Sequence, residues 1–118
     1  MVVRQWDASE VDRVFHGLAD ATRRDIVEQV LSREQSVSTL ARRYDMSFAA
    51  VQKHVAVLER ARLVTKQRRG REQIVRGNPD VLRRAVHLLD AYERIWRDRA
   101  RAIDDILAED IDTERTAQ

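Results

Sequence analysis

The chain has 118 residues, 36% of them charged, and it contains no cysteine, one proline and three glycines. This length and composition predict one compact domain, and the absence of cysteine excludes disulfide frameworks, thiolate metal sites and cysteine nucleophiles. The longest apolar runs are four residues, far below the ~20 needed to span a bilayer, and the N-terminal segment lacks the apolar stretch of a secretory signal. We therefore expect a cytoplasmic protein that does not contact membranes.

Charge is distributed unevenly along the chain. The formal net charge is +2, but residues 36–77 hold ten Lys and Arg against three Asp and Glu, while both flanking segments are net acidic. A basic segment between acidic ends is typical of proteins that bind polyanions. The alternative interpretation is a solvated basic face with no partner.

Four helices are predicted before residue 61. Apolar residues spaced by three and four mark the inner face of each helix, and a side-chain oxygen precedes each as an N-cap. Asp7 or Ser9 caps the first helix, Asp20 the second, Ser36 the third and Ser47 the fourth. The inner residues are Val11, Val14, Phe15 and Leu18; Ile26, Val27, Val30 and Leu31; Val37, Leu40, Ala41 and Tyr44; and Val51, Val55 and Leu58.

The pattern changes after Ala61. Two segments rich in β-branched residues, 63–67 and 73–76, flank Arg68, Arg69, Gly70 and Arg71, which predicts a hairpin with a basic tip.

A long last helix is predicted to start at Asn78 and Pro79 and to reach about residue 107, followed by a flexible acidic tail over 109–118. Its apolar stripe, interrupted by Arg99, requires a helical partner. The stripe consists of Leu82, Ala85, Leu89, Tyr92, Trp96, Ile103 and Ile106.

The third and fourth helices, over residues 36–61, have the order and lengths of a helix-turn-helix motif, whose second helix enters the major groove of DNA. The hairpin, over 63–76, is then a wing whose arginines reach flanking DNA. Gln52 suits adenine, and Lys53 suits guanine or phosphate. Phosphate contacts are expected at the helix starts. The predicted DNA-binding residues are Ser36, Ser38, Thr39, Ser47, Ala49, Gln52, Lys53, Arg68, Arg69 and Arg71, with His54 as a packing or phosphate-contacting residue.

Four segments, in the right order, resemble the ArsR-type winged helix-turn-helix repressors. Phe15 to Val27 is similar to the opening motif of that family. Val37 to Ala41 and Ser47 to Val51, with His54 and Leu58, resemble its recognition segment, and Ala61 to Val64 its entry to the wing. The last helix, with Pro79 at its start and Trp96 toward its far end, resembles a branch without metal ligands. The resemblance covers about residues 11–107.

Together with the predicted elements, the resemblance implies a mainly α winged helix-turn-helix domain with one small β-hairpin, spanning residues 1–108. It implies a homodimeric repressor that binds double-stranded DNA at an inverted-repeat operator and is joined through its first and last helices. By position, Phe48 joins Ser47, Ala49, Gln52 and Lys53 as a recognition residue. The implied interface residues are Val11, Phe15, Leu82, Leu89, Tyr92, Trp96, Ile103 and Ile106.

Two departures from the family pattern concern function. Ala21 stands where the family usually has proline, and the metal-sensing cysteines of the third helix are absent. We therefore expect no metal and no cofactor.

Other functions are open alternatives. His87, Asp90 and Glu93 share a helical face on which a metal site could be built, and an unidentified small-molecule effector could bind between the two terminal helices. A winged helix used as a protein-interaction module is a further alternative. Catalysis is rejected because the chain has no glycine-rich phosphate loop, no nucleophile elbow and no His-Glu metal motif.

Overall fold

The computed structural model describes residues 6–116, with side chains over 6–111. In chain order the elements are α1 Ala8–Leu18, α2 Ala21–Ser32, β1 Gln35–Ser36, α3 Val37–Arg43, α4 Phe48–Arg60, β2 Val64–Arg69, β3 Glu72–Gly77 and α5 Pro79–Thr116. The predicted mainly helical architecture with a small hairpin is confirmed. The elements up to Ala85 form one compact unit, and α5 from Val86 onward forms a second.

The helices of the first unit begin where capping predicts. Asp7 accepts the amide of Glu10 at 2.8 Å, Asp20 that of Arg23 at 3.0 Å, Ser36 that of Thr39 at 3.0 Å and Ser47 that of Ala50 at 3.1 Å. Each cap satisfies an amide that has no partner inside the helix. Asp7 rather than Ser9 is the cap of α1.

The core of the first unit joins all its helices to the sheet. Its most deeply buried side chains are Val14, Ile26, Leu40, Val51, Val55, Leu58, Leu63, Val64 and Val75. Leu31 was predicted on the inner face of α2 but is largely exposed. Its side chain lies over Gly77 instead, where an added Cβ would come within 2.6 Å of the Leu31 Cδ2.

The sheet has one strand more than predicted. β1 pairs antiparallel with β3, which gives the strand order β1-β3-β2. β1 was not predicted because a strand of two residues is too short to show the alternation that marks a strand. One of its residues, Ser36, is also the N-cap of α3. The predicted turn is confirmed, because Gly70 has φ +65°, the left-handed conformation that glycine adopts without strain.

A second left-handed residue lies at the end of α4. Arg62 has φ +60°, while its amide donates to the Glu59 carbonyl at 2.9 Å and the amide of Leu63 donates to the Leu58 carbonyl at 3.0 Å. This is a Schellman motif, in which glycine is the usual left-handed residue. Asn78 supports the same corner, because its Nδ2 donates to the Arg62 carbonyl at 2.9 Å.

The last helix is longer than predicted. α5 runs to Thr116, past the expected end at about residue 107, and residues 109–116 are helical where an irregular tail was expected. No glycine or proline follows Pro79 to end the helix. The expected domain limit at residue 108 stays a prediction, and the last two residues lie outside the described range. Within that range no helix is both long and apolar enough to cross a membrane.

Asp25 clamps α2 to the end of α3. Its carboxylate accepts from Arg43 Nε at 2.7 Å and from Arg43 Nη2 at 3.3 Å, and the Tyr44 hydroxyl donates to the same group. Hydrogen bonds from Arg43 and then Tyr44 hold the pKa of Asp25 below its usual range, while burial raises the pKa of Tyr44. This cluster fixes the end of α3 directly before the turn that leads into α4.

We expect Arg62→Gly to stabilise the protein by about 1 kcal/mol, because glycine removes the strain of a side chain at positive φ. Chemical denaturation measures the change in the free energy of unfolding. Arg60→Gly, two residues earlier and inside α4, is the control and is expected to destabilise, because glycine is unfavourable within a helix. A loss of stability in Arg62→Gly would show that the arginine side chain contributes more than the strain costs.

We expect Asp25→Asn to destabilise the protein by about 1 kcal/mol at pH 7, since a partly exposed charged clamp contributes modestly. Because the pKa of Asp25 is lower in the folded protein than in the unfolded chain, its charged form stabilises the fold at pH values above the ordinary aspartate pKa. This stabilisation is lost as the pH falls through the pKa of Asp25 in the folded protein. The difference from wild type should therefore shrink below about pH 4. Melting curves across pH measure it, with exposed Asp12→Asn as control. A difference that is constant over pH would exclude the charge as its source.

Candidate nucleic-acid interface

α4 has one buried face and one exposed face. Val51, Val55 and Leu58 are buried in the core of the first unit, whereas Gln52 and Lys53 are exposed between them. Near the start of the helix Ser47, Ala49 and the 47%-exposed Phe48 are also open to solvent. The five predicted recognition residues therefore share the solvent-facing side of α4, with short side chains at its start.

Exposed hydroxyls lie near the starts of α3 and α4. The Ser47 Oγ accepts the amide of Ala50, but a hydroxyl that accepts can still donate its proton to a phosphate. Ser38 and Thr39 are exposed at the start of α3. These three hydroxyls are open to solvent, and their contact with phosphate stays a prediction.

Ser36 differs from its predicted role. It is only 6% exposed, and its Oγ both accepts the Thr39 amide at 3.0 Å and donates to the Thr39 Oγ1 at 2.9 Å. Both hydrogen-bonding functions are thus used inside the protein. The reason is its double place, as the end of β1 and the N-cap of α3.

His54 also points away from the exposed face. Its Nδ1 accepts from Arg23 Nη1 at 3.3 Å and lies 4.0 Å from Asp20 Oδ1. Arg23 in turn donates to the carbonyls of Gly17 and His16 at 3.0 and 2.9 Å. His54 belongs to a cluster that joins α4 to the junction of α1 and α2, which corresponds to the packing role among those expected for it.

The arginines of the wing differ in their hydrogen-bond partners. Arg68 donates to the carbonyl of Gly70 at 3.2 Å, and Arg71, at the turn, is exposed. Arg69 donates from Nη1 to Glu34 Oε1 at 3.0 Å, and Arg76 donates from Nε to Glu34 Oε2 at 2.7 Å. Two basic side chains of the hairpin are thus held by one carboxylate outside it.

Sequence reasoning did not single out Glu34 or Arg76. Their separation in the chain is large, and the contact exists because β1 pairs with β3, with Gln35 opposite Val75. The only local signal is an acidic residue directly before the basic segment, which is too weak to identify a partner.

The apolar stripe of α5 is exposed over most of its predicted length. In the second unit, Leu89, Tyr92, Trp96, Ile103 and Ile106 are all about half exposed or more, with Trp96 at 63%. Ile95, Leu107 and Ile111, which were not predicted as interface residues, are exposed as well. In the first unit, Val11 and Phe15 are half-buried, and Leu82 packs against the core, so its side chain is only partly available.

The alternative metal site on α5 is not formed within one copy. Asp90 binds Arg94 at 3.0 Å and Glu93 binds Arg97 at 2.6 Å, so both carboxylates have arginine partners on the helix. Among the described residues, no group of three or more metal-binding side chains could hold an ion.

A small surface cavity lies in the first unit between α1, the end of α4 and the first turns of α5. Val14, Ala61 and Val81 line it with apolar atoms. Four arginines and one carboxylate complete the wall, together with Trp6: Arg13, Arg60, Arg62, Arg84 and Glu10. The cavity lies between the two helices where an effector was expected, and such an effector stays a prediction.

Comparison with known proteins gives consistent results. Residues 18–67 match the helix-turn-helix domain family. The chain is 40% identical over 85 residues to the HTH-type transcriptional regulator Rv2034 of Mycobacterium tuberculosis, covering 72% of this chain and 77% of that one.

Two solved structures extend the likeness to the fold. An ArsR-like transcriptional regulator from Rhodococcus has TM-score 0.73 and 33% identity over 83% of this chain and 92% of that chain. The homodimeric winged helix-turn-helix DNA-binding domain Mb0332 of Mycobacterium bovis has TM-score 0.60 and 26% identity, covering 78% and 92%. Given these identities and coverages, the chain belongs to the helix-turn-helix transcriptional regulators, in the ArsR-like winged-helix group.

Proposed function

We propose that the protein is a cytoplasmic repressor that binds an inverted-repeat operator as a homodimer, with α4 in the major groove and the wing on flanking DNA. The observation that carries the proposal is the division of α4 into a buried face and an exposed polar face with Gln52 and Lys53. The proposed action is binding, with no catalytic step.

Base reading is assigned to the first turns of α4. Gln52 can pair with adenine and Lys53 with guanine, whereas exposed Phe48 suits a thymine methyl. Ser47 and Thr39 would hold phosphates, which fixes the register of the helix without reading sequence. Arg71 at the wing tip would add a contact to flanking DNA.

Dimerisation is assigned to the exposed stripe of α5. Exposed apolar residues in such a row mark an interaction surface, and a long helix with this spacing packs against another helix. The homodimeric Mb0332 domain supports a second copy as the partner. A two-fold dimer would place its recognition helices about 34–36 Å apart, in successive major grooves.

The first test measures DNA binding by fluorescence anisotropy with the duplex upstream of the protein's own gene and with a scrambled duplex. Measurements at several salt concentrations separate phosphate contacts from base contacts. Tight, salt-dependent binding with preference for the upstream duplex supports the proposal. Absence of binding to either duplex at low salt would favour the interaction module instead.

We expect Gln52→Ala to cost about 1–3 kcal/mol on the preferred duplex and almost nothing on the scrambled one, because a base contact carries specificity. Arg71→Ala is the matched comparison. It should weaken binding to both duplexes equally and reduce the salt slope by about one. Equal losses on both duplexes for Gln52→Ala would remove α4 from the reading role.

We expect Trp96→Glu to shift the protein from dimer to monomer, because a charge in the apolar stripe cannot be buried without a partner. Sedimentation velocity measures the change. Ala91→Glu adds the same charge on the opposite side of α5, given 100° per residue, and should leave the dimer intact. A Trp96→Glu protein that stays dimeric would place the interface elsewhere.

A further inference from the structure

We infer that Glu34 restrains the wing arginines and thereby weakens binding to DNA of any sequence. This inference rests on the proposed function, because it concerns how the wing meets DNA. It makes Glu34 a positioning residue that acts through Arg69 and Arg76.

The geometry places one carboxylate between two guanidiniums of the hairpin. Glu34 follows α2 directly before β1, and its two oxygens accept separately, from Arg69 Nη1 at 3.0 Å and from Arg76 Nε at 2.7 Å. All three side chains are also in contact with solvent, with Glu34 36% exposed. The arrangement is therefore open to a competing anion.

The carboxylate is charged when the protein would bind DNA. Hydrogen bonds from Arg69 and then Arg76 hold the pKa of Glu34 below its usual range. A DNA phosphate carries the same charge and seeks the same guanidinium donors. To bind a phosphate, the Arg69 guanidinium must either release Glu34 or hold both anions at once. If it holds both, the Glu34 carboxylate lies close to the negative charge of the phosphate.

Arg68 and Arg71, the other two arginines near the tip of the wing, lack this restraint. Arg68 donates to a backbone carbonyl, and Arg71 has no ion pair within the described part of the chain. Arg71 can thus bind a phosphate without breaking an existing ion pair, while Arg69 is bound to Glu34. Because phosphate contacts do not read sequence, the effect of Glu34 falls equally on operator and non-operator DNA.

The test uses Glu34→Gln, which keeps a hydrogen-bond acceptor and removes the charge. Binding to the upstream and scrambled duplexes is measured by anisotropy as a function of salt. We expect both affinities to rise about two- to five-fold, the range of an exposed ion pair, and the salt slope to steepen by about one. Glu28→Gln, an equal change of net charge on the exposed side of α2, should produce less than half of this gain.

A second pair of variants tests whether Glu34 acts through Arg69 and Arg76. Arg69→Ala should change affinity little in the wild type but should remove most of the gain in the Glu34→Gln protein. A gain that survives both Arg69→Ala and Arg76→Ala would overturn the inference, since the charge would then act without these arginines.

The outcomes separate this inference from the proposed function. Wild-type protein that binds DNA while Glu34→Gln binds equally or more weakly overturns the inference alone, and weaker binding would mean that Glu34 supports the wing for binding. Wild-type protein that binds neither duplex at low salt overturns the proposed function and the inference with it.

Discussion

The burial of one face of α4 is the constraint on which the rest of the molecule depends. Val51, Val55 and Leu58 occupy the centre of the core, and removing any of them would lose apolar contact and leave a cavity. Because a helix turns 100° per residue, burying these positions leaves Gln52 and Lys53 outside. The stability of the domain and the orientation of the exposed polar face of α4 thus have the same physical cause.

Polar contacts position this helix more finely. The Ser47 cap sets its first turn, the clamp of Asp25 with Arg43 and Tyr44 fixes the element before it, and the corner of Arg62 and Asn78 fixes its end. Each contact is modest in free energy. Together they hold α4 and its exposed residues in one position relative to the core.

Charge and apolar surface are divided between different parts of the chain. The net positive charge lies over residues 36–77, on the helix-turn-helix and the wing, while the exposed apolar residues lie mainly on α5. Each surface favours a partner outside the single chain. Guanidinium groups favour phosphate, and an exposed apolar stripe on a helix favours another helix. Glu34 is an exception to this division, because it brings a negative charge into the basic surface.

Much of the fold followed from local rules in the sequence. Several features depend only on residues within a few positions of one another, so they could be predicted from the sequence. They are the caps at Asp20, Ser36 and Ser47, the spacing of Val51, Val55 and Leu58, and the turn at Gly70. For the same reason the exposure of Gln52 and Lys53 on α4 could be predicted, while their role as recognition residues stays a prediction. The end of α5 was misjudged because acidic composition suggested an irregular tail although no helix-breaking residue was present.

The contacts that only the tertiary structure decided join residues distant in the chain. Four features depend on which elements meet in the fold. They are the pairing of β1 with β3, the contacts of His54 with Arg23 and Asp20, the burial of Ser36, and the hydrogen bonds of Arg69 and Arg76 to Glu34. The sequence by itself determined the helices, the hairpin and their polar and apolar faces, because these arise from short-range periodicity and capping. Which polar side chains stay free for DNA was decided by packing, since a charge or hydroxyl is available only where no distant neighbour has already bound it.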